Sequence, residues 1–157
     1  MQRTINIIKK YSCFVQCRRD KYSEELDVIT YSETAVFVPP ITQGKVIKVY
    51  DGDTLTIASK LHNSYDPTIY RFSIRLAGID TPELRGSNPQ ERAMAIEARN
   101  ILSNLVMDKN VFVRNARTEK YGRILADVYL DEINLSEYLL DQKVAHEYNG
   151  GKKTSFS

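Results

Sequence analysis

The sequence has few of the residues that build metal clusters and disulfide frameworks. It contains no tryptophan, two cysteines and two histidines among 157 residues. Cys13 and Cys17 form a single C-x-x-x-C pair, and His62 and His146 lie far along the chain, so a zinc site of Cys and His ligands is not indicated. We expect two reduced thiols and a stability that does not depend on disulfides.

Long hydrophobic runs are also missing. No apolar stretch is long enough to cross a bilayer as a helix. The first ten residues hold a short apolar run that ends at Lys9 and Lys10, without the longer run and the small-residue cleavage site of a secretory signal. We therefore expect an intracellular protein that has no membrane partner.

Neither sign of charge dominates the chain. It has 22 Lys and Arg against 20 Asp and Glu, which gives a formal net charge of +2. This balance permits nucleic-acid binding without demanding it, so any attraction has to come from local Arg and Lys residues. With 42% apolar residues the chain is globular, and its length suits one main core.

Two consecutive prolines, Pro39 and Pro40, indicate a boundary because neither can donate to a β-ladder. Before them, apolar spacing predicts a helix within residues 5–15, and residues 36–38 predict a strand. We expect residues 1–43 to form a partly helical segment of unknown role, which is also the candidate surface for a protein partner.

The main domain is predicted to span residues 44–150, followed by a disordered tail at 151–157 that is rich in Gly, Lys and Ser. Alternating apolar and polar residues predict five strands, at 44–50, 54–58, 69–76, 111–114 and 124–130. Helical spacing predicts a helix at 91–107 and a second at 137–142 with Ser136 as its N-cap. This order predicts an α+β, mainly β fold, a five-stranded OB-type barrel with flanking helices.

Three short segments hold the charged residues that can do chemistry. They are 51–54 (Asp-Gly-Asp-Thr), 75–83 (Arg-Leu-Ala-Gly-Ile-Asp-Thr-Pro-Glu) and 118–123 (Thr-Glu-Lys-Tyr-Gly-Arg). Together they supply carboxylates for a hard cation, a further carboxylate for a base, and two guanidiniums. These groups are what a protein needs to cut a phosphodiester bond.

The acids have both functional and structural explanations. Asp53 and Asp80 follow neighbouring predicted strands, so their carboxylates can meet, and an all-oxygen ligand set suits Ca²⁺ or Mg²⁺. Asp also simply favours turns, which explains Asp53 taken alone. Pro82 keeps Thr81 extended, where the Thr81 carbonyl can reach a cation. Glu83 is either a general base or a solvated loop acid.

The two arginines are similarly open to interpretation. Alternation places Arg75 on the opposite face of its strand from Ile74, where it can hold a phosphate with two hydrogen bonds or pair with a neighbouring acid. Arg123 follows Gly122, which allows a tight turn before the next strand. It is either a second phosphate contact or an exposed turn residue.

The three segments, in this order, resemble the staphylococcal nuclease-like (thermonuclease) family. That family is marked by an Asp-Gly-Asp-Thr turn, an Arg-Leu-x-x-hydrophobic-Asp-Thr-Pro-Glu segment and a Lys-Tyr-Gly-Arg turn, and the resemblance covers about residues 44–150. It implies a Ca²⁺ ion bound by Asp53, Asp80 and the carbonyl of Thr81. Asp51 would support these ligands, and Mg²⁺ is the other candidate cation.

The resemblance also implies the roles of the remaining site residues. Glu83 would orient or deprotonate the attacking water, while Arg75 and Arg123 would hold the scissile phosphate. Lys120 and Tyr121 would contact a neighbouring phosphate of the bound strand. The implied reaction is hydrolysis of the P–O5′ bond in DNA and RNA, preferably single-stranded, which leaves a 3′-phosphate and a 5′-hydroxyl.

Two points stay open at this stage. Tyr148 lies where the family often carries an aromatic residue that stacks near a base, but a core tyrosine is equally compatible.

Many domains of this family in eukaryotic repeat proteins have lost catalytic residues and only bind nucleic acid or protein. A third hypothesis is an interaction protein that works through residues 1–43. The presence of all the charged site residues favours the nuclease.

Overall fold

A computed structural model of the chain describes residues 26–85, 88–119, 122–151 and 156. The chain divides into two compact units, Met1–Val36 and Phe37–Ser157. In the first unit the described residues include a 3₁₀ turn at Tyr31–Glu33, where the Glu33 carboxylate accepts a hydrogen bond from the Thr30 amide. The helix predicted within residues 5–15 and both cysteines lie outside the described residues.

The second unit is built on a closed β-barrel. Its elements in chain order are β1 (Gln43–Asp51), β2 (Thr54–Ser59), β3 (Tyr70–Leu76), β4 (Ile79–Asp80), α1 (Pro89–Val106), β5 (Asn110–Thr118), β6 (Ile124–Leu130), β7 (Ile133–Asn134), α2 (Leu135–Asp141) and β8 (His146–Glu147). β1 pairs with β2 and β5, β2 with β3, and β5 with β6, all antiparallel, and a parallel pairing of β3 with β6 closes the ring. The predicted five-stranded barrel with two helices is confirmed.

Alternation along the strands directs aliphatic side chains into the barrel. The largest fully buried side chains, from the strands and from both helices, are Val46, Leu55, Ile57, Ile74, Leu76, Ile79, Leu102, Val106, Val111, Val128, Leu135 and Leu139. α1 contributes Ala95, Ala98, Leu102 and Val106 as its buried face, as its spacing predicts. Among the described residues, no helix is long and apolar enough to cross a membrane.

α1 begins at Pro89, two residues before the predicted start. The side chain of Asn88 caps it by accepting a hydrogen bond from the Gln90 amide at 2.9 Å, and proline suits the first helical position, whose amide has no partner within the helix. This cap fixes where α1 starts relative to the loop that carries Glu83.

β5 runs to Thr118, well beyond the predicted 111–114. Its register against β6 shifts between Arg114 and Arg117, and Asn115 has a φ of 52°. Such a bulge bends the strand and interrupts its pairing, and polar residues follow, so alternation does not reveal the extension. The extension brings the end of β5 beside the start of β6, where Arg123 lies.

Residues 36–38 form no strand, contrary to the prediction. Pro39 and Pro40 cannot donate to a ladder, and the Ile41 amide turns back to the Pro39 carbonyl at 2.9 Å. The Phe37 carbonyl accepts a hydrogen bond from the Thr118 hydroxyl at 3.3 Å instead of from a strand backbone. High β-propensity alone was therefore not enough to make a strand here.

A second small sheet supports the segment that carries Asp80. β4 pairs with β8, so that Asp80 lies opposite His146, and the Tyr148 amide donates to the Gly78 carbonyl at 2.8 Å. The ring of Phe156, in the region predicted as a tail, stacks on His146 at 4.2 Å between centroids. Residues near the end of the chain thus position the turn between β3 and β4.

Ser136 does not cap α2, contrary to the prediction. Asn134 is the cap, since its side chain accepts from the Ser136 amide at 2.9 Å. The buried Ser136 hydroxyl instead donates to the Ala77 carbonyl at 2.7 Å. This bond connects α2 to the turn that leads into β4.

We predict that Ser136→Ala lowers the free energy of unfolding by about 1–3 kcal/mol, because it removes a buried donor from the Ala77 carbonyl. Thermal and urea unfolding of the purified protein measure the change. Ser73→Ala, at an exposed position of β3, is the control and should unfold like the parent. Equal stability of the two variants would contradict this role of Ser136.

Candidate active site

Asp53 lies in the two-residue loop between β1 and β2. Its Oδ1 accepts a hydrogen bond from the Thr54 hydroxyl at 2.8 Å, and its carbonyl accepts one from the Leu76 amide at 2.8 Å. The residue is 3% exposed. The hairpin predicted from the Asp-Gly-Asp sequence therefore holds a buried carboxylate in a fixed place against the end of β3.

Gly52 makes this close approach possible. A Cβ atom at Gly52 would lie 2.8 Å from the Cβ of Ala98 and 2.9 Å from Oγ1 of Thr81. The loop thus packs directly on α1 and on the residue that follows Asp80. Neither neighbour has a flexible side chain that can move aside.

Arg75 joins the two carboxylates that the sequence singles out as metal ligands. Its Nη1 lies 2.6 Å from Oδ2 of Asp53, and its Nη2 lies 2.8 Å from Oδ1 of Asp80. The side chain of Arg75 is 11% exposed and those of the acids are 4% and 6% exposed. Asp53, Arg75 and Asp80 therefore form one largely buried ionic cluster.

The ion pair with Arg75 does not fully compensate the desolvation cost of the Asp53 carboxylate. Burial raises the pKa of Asp53 to about 7, although the Arg75 guanidinium lowers this pKa, and the charge of Asp51 raises it further. For Arg75, burial lowers the pKa, but the charges of Asp53, Asp80 and Glu119 and the hydrogen bond to Asp80 outweigh it, so the pKa rises. One guanidinium therefore offsets only part of the charge of the acids.

The donor set fits a hard cation. Asp53 and Asp80 present carboxylate oxygens, as Ca²⁺ and Mg²⁺ prefer. Oδ1 of Asp51 is buried without a hydrogen-bond partner among the described residues, so the negative charge here exceeds what nearby donors satisfy. Within those same residues, no three His, Cys, Asp or Glu side chains form a metal-holding group. A cation would therefore depend on the two carboxylates together with the Thr81 carbonyl and water.

A second ion pair adjoins the cluster. Nε of Arg123 lies 2.9 Å from Oε2 of Glu119, and Oε1 of Glu119 lies 3.8 Å from Nε of Arg75. The Glu119 amide also donates to the Arg123 carbonyl at 2.9 Å. Glu119 thus lies between the two arginines and orients Arg123 through both its side chain and its backbone.

These residues open onto one cleft of about 500 Å³. It is lined by Lys48, Val49, Tyr50, Asp51, Asp53, Arg75, Asp80, Thr81, Pro82, Glu83, Leu84, Arg85, Arg99 and Arg123. Thr81 and Pro82 are buried, whereas Glu83 is exposed to the cleft. The structure therefore brings together six predicted site residues and Asp51.

For three other predicted residues the described part of the chain gives no position in the cleft. Lys120 and Tyr121 lie outside the described residues. The side chain of Tyr148 is half-buried, and its hydroxyl donates to the Gly151 carbonyl at 3.0 Å. Tyr148 is not among the described residues that line the cleft, so its predicted stacking on a base stays a prediction.

The sequence pattern does not indicate two residues that line the cleft or the acid that pairs with Arg123. Arg99 comes from α1 and Lys48 from β1, and neither belongs to a motif. Glu119 is part of the third motif segment, but only its position four residues before Arg123 hints at a pairing. That spacing is a helical signal, whereas here the two residues lie between β5 and β6.

We predict that Gly52→Ala destabilises the fold by about 1–3 kcal/mol, the usual cost of forcing an extra methyl group into a packed place. The new methyl would displace the Asp53 loop from Ala98 and Thr81. Calorimetric unfolding measures the loss. The double variant Gly52→Ala/Ala98→Gly restores space on one side only, so it should recover less than the full stability. A single variant as stable as the parent would contradict the tight packing.

Comparisons with known proteins identify relatives of this chain. A protein of Haemophilus influenzae named as an uncharacterized endonuclease is 34% identical over 104 residues, which are 66% of this chain and 51% of that protein. An Escherichia coli protein with the same description is 28% identical over 106 residues, 67% of this chain and 60% of that protein. A probable endonuclease of Phaeosphaeria nodorum is 39% identical over 61 residues, 39% of this chain and 21% of that protein.

The chain thus spans about half the length of the two bacterial relatives and about a fifth of the fungal one. A family model described as staphylococcal nuclease homologue matches residues 73–156, which is just over half of the chain. This span includes Arg75, Asp80, Glu83 and Arg123, whereas Asp53 precedes it. The resemblance drawn from the three motifs is therefore confirmed, and the chain belongs to the staphylococcal nuclease homologue family.

Proposed function

We propose that this protein is a metal-dependent nuclease that hydrolyses phosphodiester bonds in DNA and RNA. The observation that carries the proposal is the joint position of Asp53, Asp80 and Arg75 in one buried cluster, with Glu83 and Arg123 lining the same cleft. Membership of the family and the names of the relatives support it. The proposed cation is Ca²⁺, with Mg²⁺ as the other candidate.

The proposed cation ligands are Asp53, Asp80 and the Thr81 carbonyl, supported by Asp51. When bound, such a cation supplies positive charge to phosphate oxygens and to a nearby water. Asp53 is held by Thr54 and Leu76, so its carboxylate needs little reorganisation. Preorganisation of this kind reduces the cost of placing charged groups around a reacting phosphate.

Three residues of the chain carry out the proton transfer and bind the reacting phosphate. Glu83 accepts a proton from the attacking water. Arg75 and Arg123 donate hydrogen bonds to the non-bridging phosphate oxygens, whose negative charge increases in the five-coordinate transition state. The water oxygen bonds to phosphorus while the P–O5′ bond breaks, and the leaving 5′-oxygen takes up a proton. The products are a 3′-phosphate and a 5′-hydroxyl.

We expect cleavage of labelled single-stranded DNA and RNA in the presence of Ca²⁺ or Mg²⁺ and none with a chelator. Glu83→Gln and Arg123→Ala should each lower kcat/KM by about 100-fold or more, the usual effect of losing a general base or a transition-state hydrogen-bond donor. End-group analysis should find 3′-phosphates. Glu132→Gln and Arg92→Ala, at exposed positions outside the cleft, are the matched controls.

Different outcomes separate the proposal from its alternative. Cleavage that persists in chelator, or that is unchanged in Glu83→Gln, would contradict the mechanism. Salt-sensitive binding of the same strands without cleavage under any metal condition would instead show a nucleic-acid-binding module. A strong preference for single strands over duplexes of the same sequence tests the proposed substrate class.

Glu119 should act on catalysis through Arg123. We predict that Glu119→Gln lowers kcat by about 10-fold, because a misplaced hydrogen-bond donor stabilises the transition state less well. In an Arg123→Ala background the same change should have a much smaller effect, since coupled residues are not additive. Equal effects in the two backgrounds, measured as a double-mutant cycle, would limit Glu119 to a structural role.

A further inference from the structure

A second groove shares Arg123 with the cleft. It has a volume of about 260 Å³, and we call it the Phe37 groove. The residues that matter here are Phe37, Arg71, Phe72, Thr118 and Arg123. Because Arg123 lines both the cleft and this groove, a strand held at Arg123 can continue from one into the other.

The groove combines an aromatic face with positive charge. Phe37 is 71% exposed, and Arg71 is exposed on β3. None of the described residues that line the groove is acidic. A single exposed aromatic residue has no special meaning on a protein surface, but a cation next to it creates a site that suits a base and its phosphate.

Phe37 is held in place although it lies outside any strand. The Thr118 hydroxyl donates to its carbonyl at 3.3 Å. Pro39 and Pro40, which follow after Val38, restrict the backbone nearby, and the Ile41 amide donates to the Pro39 carbonyl at 2.9 Å. The ring is thus presented by an anchored backbone, which lowers the entropy cost of binding.

Arg71 is placed to contact a different phosphate from Arg75. Ile74 and Leu76 are buried in the barrel, so Arg71, Ser73 and Arg75 alternate onto the other face of β3. Four residues of strand separate the two arginine Cα atoms by about 13 Å. One face of β3 therefore extends from the ionic cluster to the Phe37 groove.

We propose that the Phe37 groove binds the nucleotide next to the scissile phosphate, with its base stacked on Phe37 and its phosphate near Arg71. This inference rests on the proposed nuclease function and specifies its substrate. Stacking on a ring requires an unpaired base and tolerates every base. The groove therefore selects single-stranded substrate without sequence preference.

The test follows cleavage at one defined bond of a ten-nucleotide single strand, so that the position of each nucleotide is known. Phe37→Ala should raise KM about 10-fold with kcat little changed, in line with a stacking contribution of about 1–3 kcal/mol per base. Phe112→Ala, at another exposed aromatic outside the groove, is the matched control and should leave KM unchanged.

Abasic nucleotides identify the partner of Phe37. One abasic position beside the measured bond should weaken binding to the parent protein but not to Phe37→Ala, because the stacking contact is already lost. Arg71→Gln should reduce the slope of log affinity against log salt by about 0.7, the value for one phosphate contact on a single strand. Arg92→Gln is the charge control.

The outcomes separate this inference from the proposed function. One outcome would refute the proposed role of the Phe37 groove while leaving the nuclease function standing. In it, the protein cleaves normally, Phe37→Ala has the same KM as Phe112→Ala, and no abasic position is coupled to Phe37. If no cleavage occurs, fluorescence anisotropy measures the affinity of each variant for the same strands and so tests the groove. A loss of affinity in Phe37→Ala alone then supports the groove, and equal affinities contradict it.

Discussion

The site depends on one guanidinium shared by two buried carboxylates. Asp53 comes from the hairpin between β1 and β2, Asp80 from β4, and Arg75 from β3 between them in the chain. A buried charge that loses its partner is strongly destabilising, so the barrel has to keep these three elements in register. Closure of the barrel through β3 and β6 then places Glu119 and Arg123 beside the same guanidinium.

Much of the fold could be predicted because local pattern and tertiary structure agree. The strands ending at Ser59, Leu76 and Leu130 follow clear alternation, and α1 buries the face that its spacing indicates. The predictions fail where a contact with a residue distant in the sequence determines the local structure. Residues 36–38 have strand-forming side chains but bond to Thr118 through a hydroxyl, and the bulge at Asn115 hides the second half of β5.

The sequence indicates which residues form the site, but it does not indicate the ion pairs and hydrogen bonds that join them. The motifs indicate Asp53, Asp80, Glu83 and both arginines, yet nothing in one sequence shows that Arg75 bridges the acids. The sequence does not indicate Glu119, because its role comes from contacts with both Arg75 and Arg123 in the folded chain. Ser136 was assigned to the wrong contact because its partner, Ala77, is far away in the chain.

The pairing of β4 with β8 also makes the turn that carries Asp80 depend on residues far along the chain. Asp80 belongs to a strand of two residues whose ladder partner includes His146, and Tyr148 bonds to the turn before it. On the ribosome, Asp53, Arg75 and Asp80 emerge well before the residues that secure this turn. The backbone partners of this turn therefore become available only after residues 146–148 have been synthesised.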